Sequence, residues 1–449
     1  MSVAATGLMS FSGVVIETAM NVTFPALMTE FSVDTSTVQW MTTGYLLVLA
    51  CIIPASSFLK RRFPTKTLFA CAISLFIVGV IVCATASSFA ILLCGRLIQG
   101  VGTGIALPLM FNIVLEQSPF DRMGSMMGIA SLITAAAPAV GPSLGGVIVQ
   151  NLGWRMIFVA LLPILGIAFV MGMYSLRQSS ELGRSRFDWH GWALLVVSFV
   201  CFVLSVTRAG STGWLSTDVA LLALAFLAGL ALFVRHSRTH ESPVIRTSIF
   251  MNRGFCLSVL SIVLLQLATL GLGYLIPNFS QLVNGEGPAV AGSLLLPGCI
   301  VGAILAPVGG RILDRFGARP PILLGNALIV LSALLFAIAG QNLETPLFLG
   351  FYLVFGFGQG LSVGNMMTNG LSCLPHDMSP DGNAAINTVQ QLAGAAGTAV
   401  ASSIVAASQA SIVSDFALAT AVGTQSALWT LFGATCLMAL FQVICLRSS

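Results

Sequence analysis

The sequence predicts an all-α polytopic membrane protein with fourteen transmembrane helices, and three observations carry that reading. The chain of 449 residues is 57% hydrophobic and only 8% charged, with a mean hydropathy of +0.97; soluble proteins hold about 25% charged residues. Apolar runs of the length needed to cross about 30 Å of hydrocarbon recur from end to end, and so many successive runs cannot all be buried core helices. The basic residues fall on alternate connections between those runs, as membrane topology requires.

The spans are expected at 7–28, 40–59, 68–87, 91–114, 123–149, 153–175, 189–208, 217–235, 254–280, 289–310, 320–340, 346–370, 383–412 and 422–446. With the N-terminus in the cytosol, the even-numbered connections hold Lys60, Arg61, Arg62, Lys66, Arg122, Arg177, Arg184, Arg186, Arg235, Arg238, Arg246, Arg253, Arg311, Arg315 and Arg319, and the tail adds Arg447. Of the nineteen Lys and Arg, only Arg96, Arg155 and Arg208 fall elsewhere, which leaves sixteen on one side. Glu30, Asp34, Asp218, Glu286, Glu344 and Asp415 mark the opposite side. Both termini are therefore expected in the cytosol. The first run continues into chemically interesting residues, so it is read as a retained helix rather than a cleaved signal.

Several functions are excluded by what the loops lack. The longest polar stretches, about 176–188 and 236–253, hold no soluble domain. Gly356-Phe-Gly-Gln-Gly360 lacks the lysine and strand context of a phosphate-binding loop. A net charge of +4, scattered along the chain, makes no nucleic-acid patch. The ten cysteines form no CxxC pair and read as small packing residues. His236 and His240 are four apart, but two ligands beside a basic loop make a poor metal site; His190 begins a helix and His376 lies in a loop. No metal, cofactor or enzymatic set of side chains is expected.

The chain is organised around Arg96-Leu-Ile-Gln-Gly-Val-Gly-Thr-Gly104 in the fourth span. An arginine there is costly unless it faces protein or a water-filled cavity. Gly100 and Gly104 share one helical face, where small residues let backbones approach. Arg96 can pair with an acid or with helix carbonyls and tune a proton carrier, or bind an anionic substrate; it stays protonated and does not carry the proton itself. Gln99 can share its face. Glu17 is the one acid well inside a span. A carboxyl group in such surroundings can gain and lose a proton near neutral pH, and it can attract a cation. The competing reading is a neutral acid hydrogen-bonded near the helix end, facing Asn21.

The fifth span holds Pro138, Gly141, Pro142, Gly145 and Gly146, a combination that bends a helix and brings neighbours close, so it reads as a hinge or as tight packing. Polar and aromatic side chains within spans are candidates to line a substrate cavity: Asn21, Tyr45, Gln99, Phe111, Asn112, Gln266, Tyr274, Asn278, Asn365, Asn369, Asn387 and Gln390. Asp314 and Arg315, with Asp121 and Arg122 in the first half, are candidates for charged bridges that close the cytoplasmic side.

An internal echo relates Ser57–Thr67 (SFLKRRFPTKT) to Gly309–Arg319 (GGRILDRFGAR), each on a short turn after the second helix of its half. Parallel halves of this kind mark one transporter architecture. The helices then divide as six, two and six, with domains expected at 1–176, 177–253 and 254–449.

These residues resemble the major facilitator superfamily, in its fourteen-helix drug/proton antiporter branch, over essentially the whole chain. Gly309–Arg319 matches the family's cytoplasmic motif, Arg96–Gly100 the fourth-helix motif, and Ala137-Pro-Ala-Val-Gly-Pro-Ser-Leu-Gly-Gly146 the fifth-helix antiporter motif. Glu17-Thr-Ala-Met-Asn-Val-Thr-Phe-Pro25 resembles the first-helix motif, with Glu where Asp is usual. Lys60 and Pro64 depart from the first-half cytoplasmic motif, a form shared by exporters that work with a periplasmic adaptor. The resemblance implies two six-helix bundles plus an inserted pair in the plasma (inner) membrane, alternating access, and proton-coupled export of amphipathic drugs, with Glu17 and Arg96 in proton coupling. Its expected partners are protons, small amphipathic organic substrates and membrane lipids, with an adaptor in a two-membrane bacterium and a monomer as the working unit. Two alternatives stay open: an exporter of one specific metabolite, and a non-transporting membrane scaffold or receptor on the same fold.

Overall fold

A backbone buried in hydrocarbon must satisfy its polar groups internally, so each long apolar run folds as a helix. In a computed structural model the chain is helical, with no strand among the described residues, which are 1–117, 137, 140–178, 187–213, 216–240, 243–375, 378–412 and 415–448. The long helices are α1 (Ser2–Phe31), α2 (Thr35–Ala55), α3 (Thr65–Ala84), α4 (Phe89–Gln117), α5 (140–152), α6 (Arg155–Ser175) and α7 (Trp189–Thr212). They continue with α8 (Thr217–Thr239), α9 (Arg253–Leu282), α10 (Pro288–Phe316), α11 (Arg319–Ala339), α12 (Thr345–Ser372), α13 (Ser379–Ser411) and α14 (Phe416–Ser448). Among the described residues 13 helices are long and apolar enough to cross a membrane. The described part of α5 is the end of the fifth expected span.

Several helices run past the expected spans, because an apolar run marks only the lipid-covered part and caps set the ends. Asp34, Asp188 and Asn252 accept the N–H of Thr37, Gly191 and Phe255 at 2.9, 2.9 and 3.1 Å, each satisfying a donor left open by the first helical turn. α10 is interrupted at Leu294–Leu295, just before Pro297, whose ring cannot join the helical ladder. It stops at Gly317, whose φ of +83° glycine adopts without strain and whose N–H bonds Leu313 O at 2.8 Å.

Helices α1–α4 and α6 pack chiefly on one another, as do α9–α14; α7 and α8 pack as a pair, and α7 also touches α2 and α13. Glycine sets the closest approaches. A Cβ added at Gly100 or Gly104 would lie 3.0 or 2.8 Å from the Cβ of Val48 or Ile52 on α2, while one at Gly102 would lie 2.6 Å from Ala72 O on α3. The two glycines four apart therefore share the α2 face and the middle one serves α3. Outward faces carry leucines such as Leu221, Leu224 and Leu227 on α8, which are at home in lipid.

The polar contacts between the two groups of helices gather toward one end, while α2 and α13 stay in contact as far as Ile53–Ala55. Asn278 Nδ2 donates to Asn21 O at 3.4 Å and Gln281 Nε2 to Val22 O at 3.1 Å, joining α9 to α1. Thr43 and Thr398 hydroxyls lie 3.0 Å apart and Thr35 Oγ1 donates to Gln409 Oε1 at 2.8 Å, joining α2 to α13. Ser143 Oγ donates to Gly292 O at 3.3 Å and Ala289 N–H to Gln150 Oε1 at 3.2 Å, joining α5 to α10. These contacts fall in the later parts of α1, α5, α9 and α13 and the early parts of α2 and α10, so they form a seal near one end of the helices.

Candidate functional site

Arg96 is fully buried in the first group of helices. Its Nε donates to Met41 O at 3.2 Å and an NH1 proton to Gln99 Oε1 at 2.7 Å, and its guanidinium carbon lies 4.2 Å from the centre of the Tyr45 ring. A desolvated cation over an aromatic face gains about 2 kcal/mol or more. Tyr45 is held in turn: its hydroxyl donates toward Gly13 O at 3.1 Å and Thr103 Oγ1 at 2.8 Å. The second terminal nitrogen of Arg96 and the Gln99 amide nitrogen have no hydrogen-bond partner among the described residues. The site thus carries unused donors deep in an apolar bundle.

Glu17 lies near the middle of α1 and is 7% exposed. Arg96 acts on it electrostatically. The carboxylate makes no hydrogen bond or ion pair among the described residues. Asn21, one turn further along α1, is occupied instead by Thr42, whose hydroxyl donates to Asn21 Oδ1 at 3.0 Å. Glu17 therefore lies one turn below the contact between Asn21 and Asn278.

Helix α5 flanks the same stretch. A Cβ at Gly141 would overlap Thr18 Oγ1 and Val15 O, and one at Gly145 would lie 2.8 Å from the Ala19 Cβ, so both glycines face the α1 turns that bracket Glu17. On its other face α5 meets α10: a Cβ at Gly146 would overlap Pro288 O, and one at Gly292 would overlap Pro142 O. The described fifth-helix residues thus sit at a junction of α1 and α10. Pro138, Asp121 and Arg122 lie outside the described residues.

The expected cavity residues separate into groups. Tyr45 and Gln99 belong to the Arg96 cluster and are fully buried. Asn21, Tyr274 and Asn278 form the seal: Asn278 also donates to Tyr274 O at 2.7 Å, and the Tyr274 ring lies 5.8 Å from that of Phe24. Asn365 and Asn369 are buried at helix contacts, beside Gly309 and at 3.7 Å from Cys445 Sγ respectively. Phe111, Asn112, Gln266, Asn387 and Gln390 are half-buried. Asp314 and Arg315 are exposed at the end of α10, and neither makes an ion pair among the described residues. Residues missed in the linear sequence are Thr43, Thr398 and Gln281 of the seal and Thr103 of the Arg96 cluster; single hydroxyls and amides in apolar runs give no signal until their partners are placed.

Two helical groups whose polar contacts gather toward one end, with a buried arginine and a buried carboxylic acid below them, define a polytopic membrane transporter. The profile described as Major Facilitator Superfamily matches residues 6–398, and the chain belongs to that superfamily. Among its relatives is the lincomycin resistance protein LmrB of Listeria monocytogenes, 35% identical over 401 residues, covering 89% of this chain and 85% of that protein. LmrB of Bacillus subtilis is 34% identical over 404 residues, covering 90% and 84%. Among solved structures, a crystal structure of the peptide transporter POT in complex with sulfate has the same fold, with a TM-score of 0.72 at 15% identity, covering 99% of this chain and 94% of that one. Membership is of a transporter family, not an enzyme family.

Proposed function

We propose that this transporter is a proton-coupled exporter of amphipathic drugs or other small toxic organic compounds, working as a monomer by alternating access between bundles 1–176 and 254–449, with 177–253 as the inserted pair. The observation that carries the reading is the placement of Glu17: a buried acid at mid-span, under electrostatic influence of Arg96, one turn below the seal and flanked by α5 glycines. A carboxyl group placed so can exchange its proton when the bundles rock, and α5, in contact with both α1 and α10, would transmit the motion.

With both termini in the cytosol, the seal lies on the outer side and the state is inward-facing. The exposed Asp314 and Arg315 fit that state, since a charge bridge there would belong to the inward-closed one. The names of the relatives, lincomycin resistance proteins, support antibiotics of that kind as substrates. The test is efflux of lincomycin from proteoliposomes under an imposed proton gradient, compared with efflux after the gradient is collapsed by a protonophore. Equal rates in the two conditions overturn proton coupling; no efflux in either overturns the substrate class.

A further inference from the structure

Asp188, His236 and His240 come together where α7 begins and α8 ends, and we propose that they form a binding site for a divalent transition-metal ion of the Zn²⁺ type that fastens the inserted helix pair. In sequence the histidines offer only two ligands, four apart. The fold supplies the third from 48 residues upstream: Asp188 Oδ1 lies 2.7 Å from His236 Nε2. One ligand atom from each of the three residues lies within 4.8 Å of the others. Bonds of about 2.0–2.2 Å to one tetrahedral ion put ligand atoms about 3.3–3.6 Å apart, so binding requires the Asp188–His236 pair to open slightly and His240 to close in.

The carboxylate is prepared for such a role. Asp188 is 3% exposed, and its Oδ1 already takes the Gly191 N–H and His236, whereas Oδ2 is buried with no hydrogen-bond partner among the described residues. The unpartnered Oδ2 is the oxygen left open to a metal ion. His236 lies in the last turn of α8 and His240 is its C-cap, four residues on, where its N–H bonds His236 O at 3.0 Å and keeps the two rings together. The two rings lie 5.1 Å apart, centre to centre, and that of His190 lies 6.3 Å from His236, near enough to serve as a fourth ligand after rotation. Phe187, Trp189 and Trp192, on either side of Asp188 in the sequence, pack on one another. Imidazole and carboxylate together favour Zn²⁺ and its first-row neighbours over Mg²⁺.

The experiment is calorimetric titration of ZnCl₂, with MgCl₂ as control, into the full chain purified in detergent with any histidine tag removed. The expected result is one Zn²⁺ per chain, no Mg²⁺ uptake, and affinity weakened at least about ten-fold by each of His240→Gln, His236→Gln and Asp188→Asn. Asn keeps the helix cap at position 188, and His240→Gln leaves the Asp188–His236 contact intact, so the loss is separable from unfolding, which circular dichroism checks. Absence of stoichiometric Zn²⁺ binding by the wild-type chain, or binding unchanged in His240→Gln and Asp188→Asn, overturns the proposal.

Discussion

The Arg96 guanidinium lies over the Tyr45 ring at 4.2 Å, and the Tyr45 hydroxyl ties that ring to Gly13 and Thr103 on the two neighbouring helices. The charge is thus held by a face and a frame. Tyr45→Phe keeps the face and is expected to cost about 1 kcal/mol of stability through the lost hydroxyl bonds, with transport retained. Arg96→Lys keeps the charge but loses the planar donor fork that reaches both Met41 and Gln99; it is expected to fold and to transport poorly. Thermal melting and proteoliposome efflux on the same preparations check both. Wild-type transport by Arg96→Ala would remove Arg96 from the mechanism.

Glu17→Gln keeps size and hydrogen bonding and removes titration. Export driven by a pH gradient is expected to fall to the rate of empty liposomes, with binding of a neutral substrate preserved and binding of a cationic one weakened. Glu17→Asp withdraws the carboxylate by one methylene and should keep partial activity. Wild-type efflux by Glu17→Gln would place the proton elsewhere.

The Thr43 and Thr398 hydroxyls, 3.0 Å apart, offer a direct handle on the seal. A chain with Cys at both positions is expected to crosslink on mild oxidation, stop transporting, and recover on reduction. Continued transport by the crosslinked chain would show that this seal need not open.

At Gly141 a side chain would meet Thr18 and the Val15 carbonyl. Gly141→Val is therefore expected to push α5 from α1 and slow exchange between facings by about ten-fold or more, since overpacking at such a contact costs about 1–3 kcal/mol. Accessibility of single cysteines from each side of proteoliposomes measures the exchange. An unchanged rate would leave these glycines as packing only.

Topology is checked by labelling cysteines placed in the connections. The Arg177–Asp188 and Arg235–Arg253 connections should react from the cytosol, and Ala209–Ser216 and Val283–Pro288 from outside. Reversal of either pair would break the fourteen-helix order.

Much of the fold was legible because lipid imposes a one-dimensional rule: a helix must be long, apolar and bounded by charge. That is why thirteen spans among the described residues fall where apolar runs predict them, and why Gly100 and Gly104 could be paired on one face from spacing alone. The division of labour among polar residues was not legible. Tyr45 and Asn278 look alike in a linear reading, yet one frames a buried arginine and the other joins two helical groups.

The sequence by itself determined the membrane character, the spacing of the helices, the in-span ionisable residues Glu17 and Arg96, and the glycine faces, because each depends on local composition or on periodicity within one helix. Only the tertiary structure decided which helices touch: that Thr43 meets Thr398 across 355 residues, that α5 lies against both α1 and α10, and that Asp188 completes a cluster with His236 and His240. Those relations arise from packing between helices distant in the chain, where side chains several helices apart share one depth and no local pattern records their meeting.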